Sequence, residues 1–378
     1  MRIRSAPAVK DEFKPEYQRT KGAVYTPPWV VRRVVRRTLA PLTKDADPDV
    51  ILNLRVLDPA CGSGSFLLGA YDRIEEALLE WGREHPRDPR RKSLLVDDEG
   101  GLRLSVEASR RIITECLHGV DIDPNAVEVA RMSLALRHLE RAAGDLPEKP
   151  QELLAGIGPN VRQGNSLVGP DIAGLGLDPD VVRATMPFPW DDRAFGFGNV
   201  LAEGGFHAVV GNPPYVEVKR YKEWMPEMCR YIKEGGRYVT AQEGKTDIAM
   251  PFMERSVKLL RPGGRLGFII QNRFFKTEYG ESTRRWLREG QLLESVEDFR
   301  DVQVFTGRTT YTTIIVLESG SESFEYRTYE NLAAAQADAP SVKARQKTAK
   351  LDDGPWSLDQ PDLLGVHADL AKRHGTIG

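Results

Sequence analysis

Cysteine is scarce: Cys61, Cys116 and Cys229 are the only three, at unrelated spacings. That argues against a disulfide framework and against the paired-thiol spacing of a zinc site. No apolar run approaches the roughly 20 residues that a helix needs to cross a bilayer. The opening residues Met1-Arg2-Ile3-Arg4-Ser5 lack the apolar core of a secretory signal. The expectation is a cytoplasmic protein without structural metal. Net charge is also missing, since 53 Lys and Arg against 55 Asp and Glu leave a formal −2. A chain that met nucleic acid over its whole surface would be basic. Positive charge is only local, at Arg32-Arg33, Arg36-Arg37, Arg87 to Lys92, and Lys343, Arg345, Lys347 and Lys350, each read as a solvated face. Any nucleic acid must therefore meet a local basic groove, or one completed by another domain. There is no internal repeat.

With 378 residues, 40% apolar and 29% charged, the chain is of soluble globular composition and long enough for one large α/β domain with an appendage, or for two domains. Residues 1–20 are polar and read as irregular. Thr26-Pro27-Pro28 precedes an amphipathic run from Trp29 to Leu39, with Thr26 a candidate N-cap. Strands are expected at Arg55 to Leu57, Cys116 to Val120, Phe206 to Val210, Arg265 to Ile270, Leu292 to Val296 and Thr312 to Leu317, and Asn160 to Ser166 resembles the end of a further one, third in order. Helices are expected at Phe66 to Trp81, Ser109 to Glu115, Asn125 to Glu140, Ile248 to Leu260 and Thr283 to Glu289. Residues 82–105 read as a charged excursion with a small hairpin, and 169–199 as a Gly/Pro-rich connector. Strands alternating with helices imply an α/β, doubly wound, mainly parallel sheet, with late antiparallel strands and an N-terminal helical segment.

The ends of successive strands carry the chemistry. The first βα turn reads Asp58-Pro59-Ala60-Cys61-Gly62-Ser63-Gly64-Ser65-Phe66. Its glycines let a backbone approach a ligand closely at a helix start. Leu67 stands where a dinucleotide fold has its third glycine, and Asp58 would repel phosphate. An acidic strand end suits a cationic, amine-bearing ligand such as S-adenosylmethionine. The second strand ends in Asp121-Ile122-Asp123, where Asp121 can accept both ribose hydroxyls and Asp123 opens the next helix. Asn165 at the third strand end can meet the cofactor's adenine. The fourth strand delivers Asn212-Pro213-Pro214-Tyr215. The Asn212 side-chain oxygen and the Pro213 carbonyl can hold both hydrogens of a ring amine, freeing its lone pair, while the prolines fix the backbone and Tyr215 offers a stacking face. The bland alternative is a strand ending in a proline turn.

In order, these blocks resemble the DNA adenine-N6 methyltransferases of restriction–modification systems, of the gamma class. Lys21-Gly22-Ala23-Val24-Tyr25-Thr26-Pro27 is similar to the N-terminal cofactor motif, Val56 to Phe66 to the glycine loop, Val120 to Pro124 to the ribose-acid motif and Gly164-Asn165-Ser166-Leu167 to the adenine-binding motif. Asn212 to Tyr215 matches the catalytic motif. Leu259 to Arg265 and Gly267 to Phe274 look like later blocks, and Val304 to Thr313 resembles the block whose aromatic, here Phe305, stacks on an extruded base. The resemblance covers about residues 20–320. It implies a Rossmann-like S-adenosylmethionine-dependent methyltransferase that binds double-stranded DNA, flips an adenine between Tyr215 and Phe305, and methylates its N6 through Asn212, Pro213, Pro214 and Tyr215. It implies cofactor contacts from Tyr25, Thr26, Pro27, Asp58, Ala60, Cys61, Gly62, Gly64, Phe66, Asp121, Ile122, Asn165 and Ser166, with no metal.

The expected division is an N-terminal helical segment over 1–50, a catalytic domain over 51–345, and a linker, or the start of a target-recognition domain, over 346–378. A separate specificity domain or subunit and a nuclease are expected as partners, since no Pro-Asp and acid-x-Lys nuclease pattern precedes Lys21. Two other readings stay open. One is a methyltransferase for an RNA base or a protein glutamine, and the other a non-catalytic DNA-binding or assembly subunit on the same scaffold.

Overall fold

Alternation along the strands decides the architecture, because each strand feeds two separate cores. Val56, Ala208, Val210 and Ile269 bury into one apolar cluster, while their neighbours Leu57, Val209, Phe268 and Ile270 bury into the other. A sheet covered on both faces follows. The computed structural model describes residues 25–98, 101–142, 158–218, 225–234, 236–242, 246–307, 309–356 and 358. Residues 1–24, including Lys21 to Val24 of the N-terminal motif, and residues 359–378 of the expected linker lie outside them.

The strands are β1 (Val56–Asp58), β2 (Leu95–Asp98), β3 (Gly101–Leu104), β4 (Leu117–Asp121), β5 (Val161–Gln163), β6 (Phe206–Gly211), β7 (Leu260–Gln271), β8 (Leu293–Asp298), β9 (Thr312–Glu318), β10 (Ser323–Thr328) and β11 (Val342–Lys347). Nine of them form one sheet in the order β11-β10-β8-β9-β7-β6-β1-β4-β5, and β2 and β3 form the separate hairpin. Pairing is parallel from β7 through β6, β1 and β4 to β5. Late in the chain, β9 runs antiparallel between β7 and β8, and β11 lies antiparallel on β10. The main helices are α1 (Pro28–Thr43), α2 (Ser65–Glu84), α3 (Pro124–Ala142), α4 (Ala249–Lys258) and α5 (Glu281–Glu289). The strand order reverses at β1 and β6, the place where ligands bind in such sheets.

Several sequence expectations change in the folded chain. Thr26 is not an N-cap: Pro27 occupies that position without a side-chain cap bond, and the Thr26 hydroxyl turns to Asn212 instead. The helix expected at Ser109 to Glu115 begins at Val106, capped by Ser105, and ends in a wide π-helical turn over Ile112–Cys116. The stretch 169–199 is more than a connector, because Ile172, Phe188, Trp190 and Phe197 fill one of the two cores. Strands β10 and β11 were not foreseen, although Phe324 and Tyr326 alternate with polar residues. On the outermost strand, β11, Lys343, Arg345 and Lys347 are exposed. Charges there discourage pairing with another sheet edge.

The pair Arg33 and Arg37 departs most from a solvated face. Arg33 is only 5% exposed, and its guanidinium lies 5.3 Å from the ring centres of both Trp29 and Tyr329. Glu297 on β8 accepts from Arg33 at 3.5 Å, from Arg37 Nε at 2.6 Å and from the Tyr329 hydroxyl at 2.8 Å. Asp338 pairs with Arg36 and Arg37. Buried guanidinium groups demand carboxylates, so this network fixes α1 to the β8–β10 side of the sheet. Removing one member of a buried pair leaves the other charge uncompensated, which costs about 3–5 kcal/mol. Glu297→Ala is therefore expected to lower unfolding stability in urea by about that amount, and a loss under about 1 kcal/mol would show that the network does not hold α1.

Candidate active site

Strand β1 ends at Asp58, which is 1% exposed. One carboxylate oxygen accepts from the Ala60 backbone N–H at 3.1 Å, whereas Oδ2 is buried and has no hydrogen-bond partner among the described residues. Burial pushes the Asp58 carboxyl up to about 8, and the nearby Asp121 carboxylate adds to the rise. The glycine loop then folds over the strand ends. Cys61 N–H donates to the Val120 carbonyl at 3.0 Å, and Gly62 N–H donates to Asp121 Oδ2 at 2.8 Å. Gly62 and Gly64 have φ of 51° and 87°, a left-handed backbone that favours glycine. A Cβ added to Gly62 would meet nothing within 4 Å, so the loop's outer face is open to a ligand. Ala60 is half-buried, and Phe66 is buried in the α2 core. Burial, with Asp58 and Asp121 close by, raises the Cys61 thiol well above its ordinary range, which makes it a packing residue and not a nucleophile.

At the end of β4 the second Asp121 oxygen accepts from Asp123 N–H at 2.9 Å. Asp123 in turn accepts from Asn125 N–H at 3.0 Å and so opens α3. Ile122 is half-buried between them. The β5 end is more committed to the protein than its sequence suggested. Asn165 Oδ1 accepts from Leu167 N–H at 3.1 Å, and its Nδ2 faces the Thr185 carbonyl and the Met228 sulfur. Ser166 donates to the Pro59 carbonyl at 2.6 Å, strapping this strand end to the glycine loop.

Strand β6, paired in parallel with β1, ends at Gly211. A Cβ on Gly211 would lie 2.9 Å from Asp58 Oδ1, so the two strand ends touch with no side chain between them. The next residue, Asn212, donates from Nδ2 to Thr26 Oγ1 at 2.9 Å. Its Oδ1 is buried and without a partner among the described residues. Pro213 is buried and Pro214 half-buried. The Tyr215 hydroxyl donates to the Ile269 carbonyl at 3.0 Å, and burial, with Asp247 nearby, holds it well above its ordinary range. Phe305, 3% exposed, comes to this place from far along the chain. Its ring meets Tyr215 edge-on, with centres 6.3 Å apart and planes at 76°. Two parallel rings clasping a third would stand about 7 Å apart, twice a van der Waals contact of ~3.5 Å. The pair is therefore brought together, but not as an open sandwich.

Of the N-terminal motif, Thr26 joins the site, Pro27 begins α1 by accepting from Val30 N–H, and Tyr25 is 76% exposed. Sequence reading missed Asp247. It is buried, its carboxylate accepts from Ala249 N–H at 2.9 Å, and its backbone pairs antiparallel with that of Glu217, just past Tyr215. Burial raises its carboxyl to about 7, with Glu217 adding to the rise. Its only sequence signal was an acid directly before an apolar helix. Among the described residues, no group of three or more His, Cys, Asp or Glu is placed to hold a metal ion.

This fold recurs in the type IIL restriction-modification enzyme MmeI, solved in complex with DNA. The two superpose with a TM-score of 0.55 at 14% identity over 88% of this chain and 41% of that one. Among proteins of known identity, the chain is 26% identical over 362 residues to the type II restriction enzyme and methyltransferase RM.Eco57I of Escherichia coli, covering 94% of this chain and 34% of the relative. It is 29% identical over 305 residues to the adenine-specific methyltransferase PglX of Streptomyces coelicolor, covering 74% of this chain and 21% of that protein. The chain thus spans about a third or less of these relatives' lengths. The profile of the MmeI DNA-methyltransferase domain matches residues 45–165, which hold the glycine loop and Asp121. That of the Eco57I restriction-modification methylase matches residues 115–305, from just before β4 through Asn212 to Phe305. With about half of its length matched, and with the acidic, amide and aromatic residues of that stretch gathered at one sheet edge, the chain belongs to the Eco57I restriction-modification methylase family.

Proposed function

We propose that this chain is the methyltransferase core of a restriction–modification or related defence system, transferring a methyl group from S-adenosylmethionine to N6 of an adenine turned out of duplex DNA. One observation carries the reading. Two buried oxygens, Asp58 Oδ2 and Asn212 Oδ1, lack partners among the described residues and sit on strand ends that touch. Each unmade buried hydrogen bond costs about 1–3 kcal/mol. A cation beside Asp58 and an amine beside Asn212 would relieve both.

The residues fit S-adenosylmethionine on these grounds. Asp58 is placed for the cationic methionine end, the open Gly62 face for close backbone contact, and Asp121 for the ribose. Asn165, bonded on each of its polar atoms, has one remaining Oδ1 lone pair for the adenine. When bound, the cofactor supplies a methyl group on a sulfonium, ready for direct displacement. Asn212 Oδ1 and the Pro213 carbonyl would hold the two N6 hydrogens and so free the nitrogen lone pair to displace the sulfonium and take the methyl group. One N6 proton then leaves to solvent. Catalysis here is positioning and electrostatics. For a base to stack on Tyr215, Phe305 must first turn from its edge-on position. Stacking then offsets about 1–3 kcal/mol per aromatic face of the cost of extrusion. Support for a defence role comes from the names of the relatives. The Escherichia coli protein is both restriction enzyme and methyltransferase, which fits target recognition and a nuclease lying outside the stretch matched here.

Asn212→Ala should cut methyl transfer to duplex DNA by about 100-fold or more, while S-adenosylmethionine affinity stays within about 2-fold by calorimetry. Turnover at the wild-type rate would sink the mechanism. A second outcome concerns pH. With its carboxyl at about 8, Asp58 is largely protonated at pH 7, and a cationic ligand favours the ionised form. Below about pH 8 binding should therefore release a proton, and affinity should rise from pH 6 toward about 8 and fall above it as the ligand's own ammonium loses its proton. Asp58→Asn should flatten that rise, and a pH-independent wild-type affinity would refute the Asp58 assignment.

A further inference from the structure

We infer that Asp247 is a positioning residue for the proposed reaction: its carboxylate grips the peptide that leaves Tyr215, and so fixes the ring on which the extruded base stacks. The inference rests on the proposed role of Tyr215 and deepens it. Directly after the tetrapeptide, Glu217 pairs antiparallel with Asp247. Ile248 N–H donates to the Val216 carbonyl at 2.9 Å, and Val218 N–H donates to the Thr246 carbonyl at 2.9 Å. The Val216 N–H belongs to the peptide that leaves Tyr215. It bonds to the Asp247 carboxyl and favours the ionised form. The same carboxyl accepts at 2.9 Å from the N–H of Ala249, the first residue of α4. Met250, Phe252 and Met253 of that helix are buried in one of the two cores. One side chain thus ties the end of the tetrapeptide to a packed helix.

Tyr215 has an anchor at each end. Its hydroxyl donates to the Ile269 carbonyl at 3.0 Å, and its backbone is held through Val216. With the hydroxyl as a pivot, the plane of the ring follows the backbone. Phe305 braces that ring edge-on in the free protein. Once Phe305 turns aside for a base, the angle of the ring depends on the two anchors, so a loosened backbone lowers kcat. The grip also varies with protonation, because a carboxylate accepts about twice as strongly as a neutral carboxyl. Burial is the main cause that raises the Asp247 carboxyl to about 7; Glu217 on the paired segment adds to the rise, and Arg273 on the turn after β7 opposes it. Tyr215 and Tyr279 face the same charge: burial raises both hydroxyls, and Asp247 adds to each rise. The grip is therefore full above about pH 7 and weakens as pH falls through it.

The test follows the Val216 amide in the full chain labelled with 15N-valine, its signal identified by its loss in Val216→Ile. In the wild type the amide proton resonance should move with a midpoint near pH 7, as an N–H bonded to a titrating carboxyl does. That movement should vanish in Asp247→Asn. In Glu217→Gln, which removes an exposed neighbouring charge, the midpoint should fall. A Val216 signal blind to pH in the wild type, or one still titrating in Asp247→Asn, overturns the inference whether or not the chain methylates DNA. Turnover is read at saturating S-adenosylmethionine and unmethylated duplex, which takes the effect of Asp58 on binding out of the rate. Wild-type kcat should rise about 5- to 10-fold from pH 6 to 8. Asp247→Asn should stay near the lower value throughout, and Glu217→Gln should move the rise to lower pH with the same upper level. A rise that persists in Asp247→Asn, or that Glu217→Gln leaves in place, overturns the inference. If Asp247→Asn does not fold, the two Glu217→Gln shifts decide. If the wild-type chain moves no methyl group to DNA, the functional reading fails, and the Val216 titration still decides whether Asp247 grips that peptide.

Discussion

The parallel pairing of β1 with β6, Val56 against Ala208 and Leu57 against Val209, governs the site. It sets the end of one strand, Asp58, against the backbone of the other at Gly211, so the residue after that glycine emerges beside a buried carboxyl. Apart from His207 near the start of β6, both strands are apolar up to their last residues and covered on both faces. The polar groups of the site therefore appear where these strands stop, at the edge where the sheet order reverses. Other contacts brace this junction. Asp121 clamps the glycine loop through Gly62, Ser166 straps the loop to β5, and Thr26 reaches Asn212 from the start of α1. Helix α1 is held in turn by the Arg33, Arg37 and Glu297 network on the far side of the sheet.

The site holds less hydrogen bonding than its burial calls for. A buried Asp58 carboxyl oxygen and a buried Asn212 amide oxygen without partners among the described residues are a standing penalty, and the two cores offset it. The edge-on contact of Phe305 with Tyr215 covers apolar surface that, in the proposed reaction, a base would cover. In the proposed reaction the free enzyme is thus strained toward its ligands, with the polar part of that strain at Asp58 and Asn212 and the apolar part at the two rings.

Much of this could be read in the sequence, for identifiable reasons. Strand ends announce themselves as an apolar run broken by a polar residue, so Asp58, Asp121, Asn165 and Asn212 were all found at the right edge of the right sheet. Leu67 and Asp58 set the acidic glycine loop apart from the dinucleotide pattern in the sequence. What escaped depended on partners distant in sequence. Arg33 and Arg37 read as solvated because local charge patterning cannot show that Glu297 lies 264 and 260 residues away. Thr26 read as a cap because Ser and Thr before proline usually are, while its actual partner lies 186 residues on. Asn165 looked free for a ligand, but its oxygen serves its own turn at Leu167 while its Nδ2 faces Thr185 and Met228, 20 and 63 residues away.

The central claim is that the Asn212 edge grips an amine of adenine in DNA. The most direct measurement is to incubate the wild-type chain with S-adenosylmethionine labelled in its methyl group, together with unmethylated duplex DNA, RNA and protein, and to follow the label by mass spectrometry of the separated digests. The account predicts label in N6-methyldeoxyadenosine. Label in methylcytosine, in RNA or in protein glutamine would contradict it, as would an absence of label from a chain that binds the cofactor.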